Sequence, residues 1–264
     1  RLRMYSVSKD YAMDFKLKLI FQLVIYLSWH QLPCTGIGER IVGGTSVTEK
    51  KYTYFVRLYY QDVFLCGGSL VRNNAVVTAA HCVSDANVNE LRVHADTISL
   101  RDEGIVRKVK HVVISNLYNE RTSNYDVAVL ILVSAVPNTS FTAIQLQKTA
   151  VTAGTKCVVI GHGSTKESEY NPVQLQEVRI PVLSRTACQR RYAGVARITR
   201  YMLCAWELGK DSCAGDSGGP MVCKGQLAGI VSWGFECADS RFPGVYTDIS
   251  RVYTFIERTL ERFK

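Results

Sequence analysis

The chain has 264 residues, 47% of them apolar and 21% charged, a balance far from the low-hydrophobicity, high-charge composition of disordered chains. Its net charge of +9 is scattered, and the densest groups, Arg190-Arg191 and Arg101 with Arg107, Lys108 and Lys110, are short; such runs mark a solvated basic surface rather than a nucleic-acid site. Nine cysteines favour an oxidising compartment if they pair, and an odd number leaves one free, intermolecular or removed.

At the amino terminus, Met13 to Lys18 is a short basic segment followed by an apolar run of eleven, Leu19–Trp29. Eleven residues fall short of the about 20 that a helix needs to cross a bilayer core, but they suit the apolar stretch of a secretory signal peptide. Residues 1–36 are therefore read as a signal peptide with an upstream extension, Arg1–Ala12, which is either translated upstream sequence or a long basic region. Cleavage after Gly36 puts small residues, Cys34 and Gly36, at both key positions. It also removes Cys34 and leaves an even set of eight.

From Arg40 onward, short apolar runs alternate with turn residues. Tyr54–Tyr60, Ala75–Ala80, Val127–Val133, Cys157–Ile160, Glu177–Leu183, Leu227–Trp233 and Val245–Ile249 are rich in Val, Ile, Tyr and Thr and read as strands. One clear helical pattern stands at Ser250–Lys264, with Val252, Phe255, Ile256 and Leu260 on one face. Many short strands with a terminal helix indicate an all-β antiparallel sandwich or barrel. No repeat or linker interrupts the chain from Ile41, which reads as one unit.

Three motifs carry chemistry. TAAHC (Thr78 to Cys82) places His81 just after an apolar run. NYDVAVL (Asn124 to Leu130) sets Asp126 ahead of an apolar strand. DSCAGDSGGP (Asp211 to Pro220) surrounds Ser217 with glycine. Singly, each reads as a structural histidine, a turn aspartate and a turn. Together, in the order His, Asp, Ser, they resemble the trypsin-like serine proteases of the chymotrypsin fold, over all of the chain except its leader.

That resemblance implies two antiparallel six-stranded β-barrels packed together, with a C-terminal α-helix, over a protease domain at 41–264. It implies a catalytic triad in which His81 takes the proton of Ser217 while Asp126 holds the imidazole tautomer. An oxyanion hole is implied at the backbone N–H groups of Gly215 and Ser217. Residues 37–40 become a short activation peptide. Cleavage after Arg40 frees the amino group of Ile41 to pair with Asp216, the neighbour of the nucleophile, and so order the site.

Asp211 matches the base of the primary specificity pocket, where a carboxylate selects Arg or Lys. Ser212, Gly234 and Gly244 match its walls, and Ser232-Trp233-Gly234 matches the segment that pairs with substrate as an added strand. Two departures stand out. Glu236 replaces a usual glycine near the pocket mouth, where it either attracts basic side chains or partly blocks them, and His162 replaces a common tryptophan. The implied disulfides are Cys66–Cys82, Cys157–Cys223, Cys188–Cys204 and Cys213–Cys237. Asn138 in Asn138-Thr139-Ser140 is a glycosylation sequon.

No cofactor and no metal site is expected. The expected partners are protein or peptide substrates with Arg or Lys, an activating protease (the enzyme itself being one candidate) and protein protease inhibitors. The expectation is of a secreted, extracellular monomer without nucleic-acid or membrane partners.

Overall fold

Alternation along the strands sets the architecture. In the computed structural model of the protein, which describes residues 44–163, 173–210, 215–235 and 240–264, all within one unit, Glu39–Lys264, the first strands are β1 (Thr45–Ser46), β2 (Phe55–Tyr60), β3 (Val63–Arg72), β4 (Ala75–Thr78) and β5 (Leu91–Ala95). In β5, Leu91, Val93 and Ala95 are buried while Arg92 and His94 are half-buried, the period of two expected when one face of a strand points into a core. With β6 (Ile105–Ile114) and β7 (Ala128–Leu132), four of these strands close an antiparallel barrel in the order β2-β3-β4-β7-β6-β5. The last pairing sets Arg57 opposite His94 and Leu58 opposite Val93. Closure leaves no free edge in this sheet.

A short β8 (Gln145–Leu146) leads to the second barrel, made of β9 (Lys156–Gly161), β10 (Gln176–Leu183), β11 (Met202–Ala205), β12 (Pro220–Cys223), β13 (Gln226–Trp233) and β14 (Gly244–Asp248). The ring runs β10-β11-β14-β13-β12-β9 and closes because β9 pairs with both β12 and β10. β1 adds to the outer side of β10, and β8 lies parallel beside β13. The fold is thus two closed six-stranded antiparallel barrels. Val159, Ile180, Val182, Met221, Ala228 and Tyr246 are among the residues that fill the second, each large apolar side chain contributing about 1.5–3 kcal/mol by its burial.

Two α-helices are described. α1 (Arg185–Arg191) begins at Ser184, whose hydroxyl accepts from the Ala187 N–H at 3.2 Å. α2 (Ile249–Arg262) begins at Asp248, whose Oδ1 accepts from the Ser250 N–H at 3.0 Å and its hydroxyl at 2.7 Å. The apolar stripe of α2 buries Ile249, Val252, Ile256 and Leu260, spaced three to four apart as helix geometry requires, while Phe255 is half-buried against Tyr125. Arg72 of β3 donates to the Leu260 carbonyl at 2.5 Å, which satisfies one of the acceptors that a helix C-terminus leaves open.

All seven expected strand segments contain a strand, with two informative differences. The run expected to continue to Ala80 ends at Thr78, and Ala80–Cys82 forms a 3₁₀ turn, because Cys82 is bonded to Cys66 of β3 and pulls the chain out of line. α1 was not expected, since its seven residues carry three arginines and one buried side chain, Cys188.

The structure joins Cys66 to Cys82, Cys157 to Cys223 and Cys188 to Cys204. In a chain-entropy account the longest of these loops contributes about 4 kcal/mol and the two short ones about 3 kcal/mol each. The leader with Cys34, Arg40, Ile41, Asp211, Ser212, Cys213, Glu236 and Cys237 lie outside the described residues.

One charge is buried in the first barrel wall. Arg57 is 1% exposed, and its guanidinium donates to the carbonyls of Ser99 at 2.8 Å, Asp102 at 2.5 Å and Glu103 at 3.4 Å, and to the Tyr59 hydroxyl at 3.2 Å. Burial pushes its ionisation below the usual arginine range without neutralising a group so strongly basic. The loop after β5 is therefore folded around a cation supplied by β2.

Candidate active site

His81 sits in the 3₁₀ turn that follows β4, beside the bridged Cys82. Asp126 precedes β7 and is fully buried. Because β4 and β7 are hydrogen-bonded neighbours, with Thr78 opposite Ala128, the barrel brings together two residues distant in sequence. His81 Nδ1 lies 2.7 Å from Asp126 Oδ2, and the His81 backbone N–H donates to Oδ1 at 2.9 Å. A carboxylate oxygen accepts, so the ring proton belongs on Nδ1 and Nε2 is left as the basic nitrogen.

Two further contacts fix the carboxylate. Ser232 Oγ of β13 donates to Asp126 Oδ2 at 2.5 Å, and Thr247 Oγ1 of β14 donates to the Asp126 carbonyl at 2.7 Å. Both donors come from the second barrel, so Asp126 ties the two barrels together. Sequence reasoning placed Ser232 on the substrate strand and did not foresee this side-chain bond; no local pattern signals it. Nearby, burial and the charge of Asp126 push the Tyr118 phenol up to about 12, so this ring stands by as a neutral neighbour at ordinary pH.

Ser217 lies on the loop entering β12. Its carbonyl accepts from the Gly67 N–H at 2.8 Å, and the Gly67 carbonyl in turn accepts from Thr78 Oγ1 at 2.8 Å. Thr78 is three residues before His81, so this short chain of bonds binds the serine loop to the histidine strand. Gly218 follows with φ of +75°, and a Cβ added there stands 2.2 Å from Thr78 Oγ1. Only glycine accepts both that backbone and that approach. Gly215, at φ of +96°, makes the turn before the serine.

Asp216 is fully buried. Its Oδ1 accepts from the Gly163 N–H at 2.7 Å. A Cβ added at Gly161 stands 2.0 Å from Oδ1, and one at Gly163 stands 2.2 Å from Oδ2. The Gly-His-Gly segment makes room for the carboxylate by lacking side chains on both sides. Between them His162 is fully buried, its ring 5.8 Å from Phe55 and 5.9 Å from Phe64, so it faces the interior.

Trp233 packs edge-on against Tyr192 at 5.2 Å, and Tyr192 donates to the Pro243 carbonyl at 2.6 Å. Gly234 faces Gly244: a Cβ added at the first meets the Cα of the second at 4.0 Å, ordinary van der Waals contact. Asn138 is exposed on a turn closed by the Ser140 N–H to the Pro137 carbonyl at 2.9 Å. Among the described residues a trio of metal-ligand types, Cys66, His81 and Cys82, converges, but the two cysteines are bonded to each other and offer no thiolate, the form that ligates metals. Among the described residues no helix is long and apolar enough to cross a membrane.

A sequence profile for the family "Trypsin" matches residues 41–256. The chain is 38% identical over 226 residues to a trypsin of Sus scrofa, covering 84% of this chain and 96% of that protein. It is 36% identical over 219 residues to Trypsin alpha-4 of Lucilia cuprina, covering 82% and 86%, and 38% identical over 226 residues to Seminase of Drosophila melanogaster, covering 84% and 82%. The chain belongs to the trypsin family and is a serine endopeptidase, a hydrolase of peptide bonds.

Proposed function

We propose that this protease is made as a secreted zymogen, is activated by cleavage after Arg40, and cuts protein and peptide chains after Arg or Lys through Ser217, His81 and Asp126. The observation that carries this reading is the pair of bonds from His81 to Asp126, 2.7 Å from the ring and 2.9 Å from the backbone. Nε2 lies 3.7 Å from Cys82 Sγ, a disulfide sulfur with no proton to give, so a base held at two points keeps a lone pair for the proton of a serine hydroxyl.

The chemistry proceeds in two halves. Ser217 Oγ attacks the carbonyl carbon of the bond to be cut while its proton passes to His81 Nε2. The buried carboxylate of Asp126 stabilises the resulting imidazolium. The negative charge arising on the carbonyl oxygen is met by the N–H groups of Gly215 and Ser217, a contribution of about 3 kcal/mol for each well-placed donor. The C–N bond breaks as His81 returns the proton to the leaving amine, and an acyl group remains on Ser217. Water, deprotonated by His81, then releases the acid and restores the serine.

Substrate choice rests on Asp211, whose carboxylate at the pocket base pairs with a guanidinium or ammonium. Ser212, Gly234 and Gly244 form the walls, and the backbone of Ser232, Trp233 and Gly234 takes the substrate as an added strand. Gly234 and Gly244 face each other with no side chain between them, which supports a slot kept open by glycine. Residues 1–36 serve as the leader, 37–40 as the activation peptide and 41–264 as the protease domain. The partners are protein substrates, the activating protease and protein inhibitors.

Activation turns on Asp216. The amino group of Ile41, freed by cleavage, pairs with a carboxylate seated between Gly161 and Gly163, and so orders the Gly215–Ser217 turn. Hydrolysis of an Arg-amide peptide, measured before and after clean cleavage at Arg40, tests the whole reading: turnover appears only after cleavage. Absence of turnover in the cleaved protein overturns the triad assignment. Full activity after acetylation of the Ile41 amine overturns the switch.

A further inference from the structure

A cavity of about 680 Å³ opens along the segment that leads to Asp126. Its lining includes Asn124, two residues ahead of Asp126, and Trp233, next to the serine that holds Asp126. The walls mix neutral polar side chains, Asn119, Thr122 and Thr199 among them, with aliphatic ones: Leu117 and Val195 are 54% and 51% exposed, free apolar surface of the kind that marks a contact site. Two arginines, Arg121 and Arg197, also line it. Both are exposed, and neither makes a hydrogen bond or ion pair with a described residue. Among the described residues, no carboxylate lines it.

Two exposed cations with no described partner, set among neutral polar and aliphatic side chains, form a site with a definite preference. A substrate extended along Ser232–Gly234 as a strand turns alternate side chains toward Trp233, and hence into this cavity. A carboxylate there meets Arg121 and Arg197, while a lysine or arginine there meets two like charges. The methylene carbons of an acidic side chain still pack on Leu117 and Val195.

We propose that this cavity selects Asp or Glu on the acyl side of the basic residue at which the chain is cut, so that the preferred substrates are acidic segments ending in Arg or Lys. The inference rests on the reading of Ser217, His81 and Asp126 given above and adds a second recognition element to it. Because the contact is exposed, its size is modest and depends on salt.

The test uses the full chain cleaved at Arg40 and a set of Arg-amide peptides carrying Asp, Ala or Lys at each upstream position. At low salt the acidic peptides are cut with kcat/KM about fivefold above the Lys-bearing ones at one or more positions, and the ratio shrinks in about 1 M salt. The double variant Arg121→Gln, Arg197→Gln brings that ratio close to one, and Arg121→Glu, Arg197→Glu inverts it. Since both side chains are exposed, an unchanged melting temperature verifies folding. Cleavage after Arg with no upstream charge preference, or a preference that the variants leave in place, overturns this inference and leaves the triad intact. Failure of the cleaved wild-type chain to cut any Arg-amide overturns the reading beneath it.

Discussion

Asp126 and Asp216 are both fully buried, yet their surroundings hold them by opposite means. Asp126 is gripped by what its neighbours present: the His81 ring and N–H, and the Ser232 hydroxyl. Asp216 accepts from the Gly163 N–H but is seated chiefly by the side chains its neighbours lack, in a slot that any Cβ at Gly161 or Gly163 fills. The first arrangement specifies an orientation, which proton transfer needs. The second specifies a volume, which suits a group proposed to receive a partner after the chain has folded.

The contrast can be broken in order of effect. Asp126→Asn keeps the shape but offers an amide donor where the ring nitrogen needs an acceptor, and kcat is expected to fall by about 10⁴-fold, the figure attached to the wrong tautomer in this family's mechanism. Its melting temperature should hardly move; steady-state kinetics alongside thermal unfolding checks both. Gly163→Ala does the reverse, pushing a methyl group against a buried carboxylate. Overpacking of this kind costs about 1–3 kcal/mol, and displacement of the serine loop lowers kcat/KM by about 100-fold, so a loss of both stability and activity is expected. A Gly163→Ala enzyme that is stable and fully active means that the slot is not tight.

Smaller changes separate the contributions around Asp126. Ser232→Ala removes one donor from a carboxylate that keeps two, and costs about 1 kcal/mol, read as a fall of about fivefold in kcat. Thr247→Val leaves the carboxylate untouched and frees only the Asp126 carbonyl, so it should lower stability in urea by about 1 kcal/mol while kcat stays within twofold, which is about 0.4 kcal/mol. If the two variants behave alike, the orientation of the carboxylate is not what Ser232 supplies.

Much of the fold was legible where one strand carries its own signal. β7 and β13 are nearly all apolar, and α2 has a clean stripe. Strands whose partners define them were hidden. β6 carries Arg107, Lys108 and Lys110, which read as a charge cluster because its outward face is basic. β3 contains Gly67 and Gly68, which weaken a strand pattern in sequence but stand where Gly219 and Val76 approach too closely for side chains. His81, Asp126 and Ser217 were visible as motifs. The ties that hold them, Thr78 to Gly67, Gly67 to Ser217 and Ser232 to Asp126, join residues distant in sequence, and no periodicity encodes such bonds.

Arg57 carries a consequence outside catalysis. Loops that converge several carbonyl oxygens on one point commonly recruit a dissolved ion, and then their rigidity rises and falls with the surrounding medium. Here the charge at the centre of Ser99, Asp102 and Glu103 is covalently attached to a barrel strand. It has no dissociation constant and cannot be dialysed away. The segment is a loop with its counterion built in, so dilution into a salt-poor fluid leaves its central charge in place.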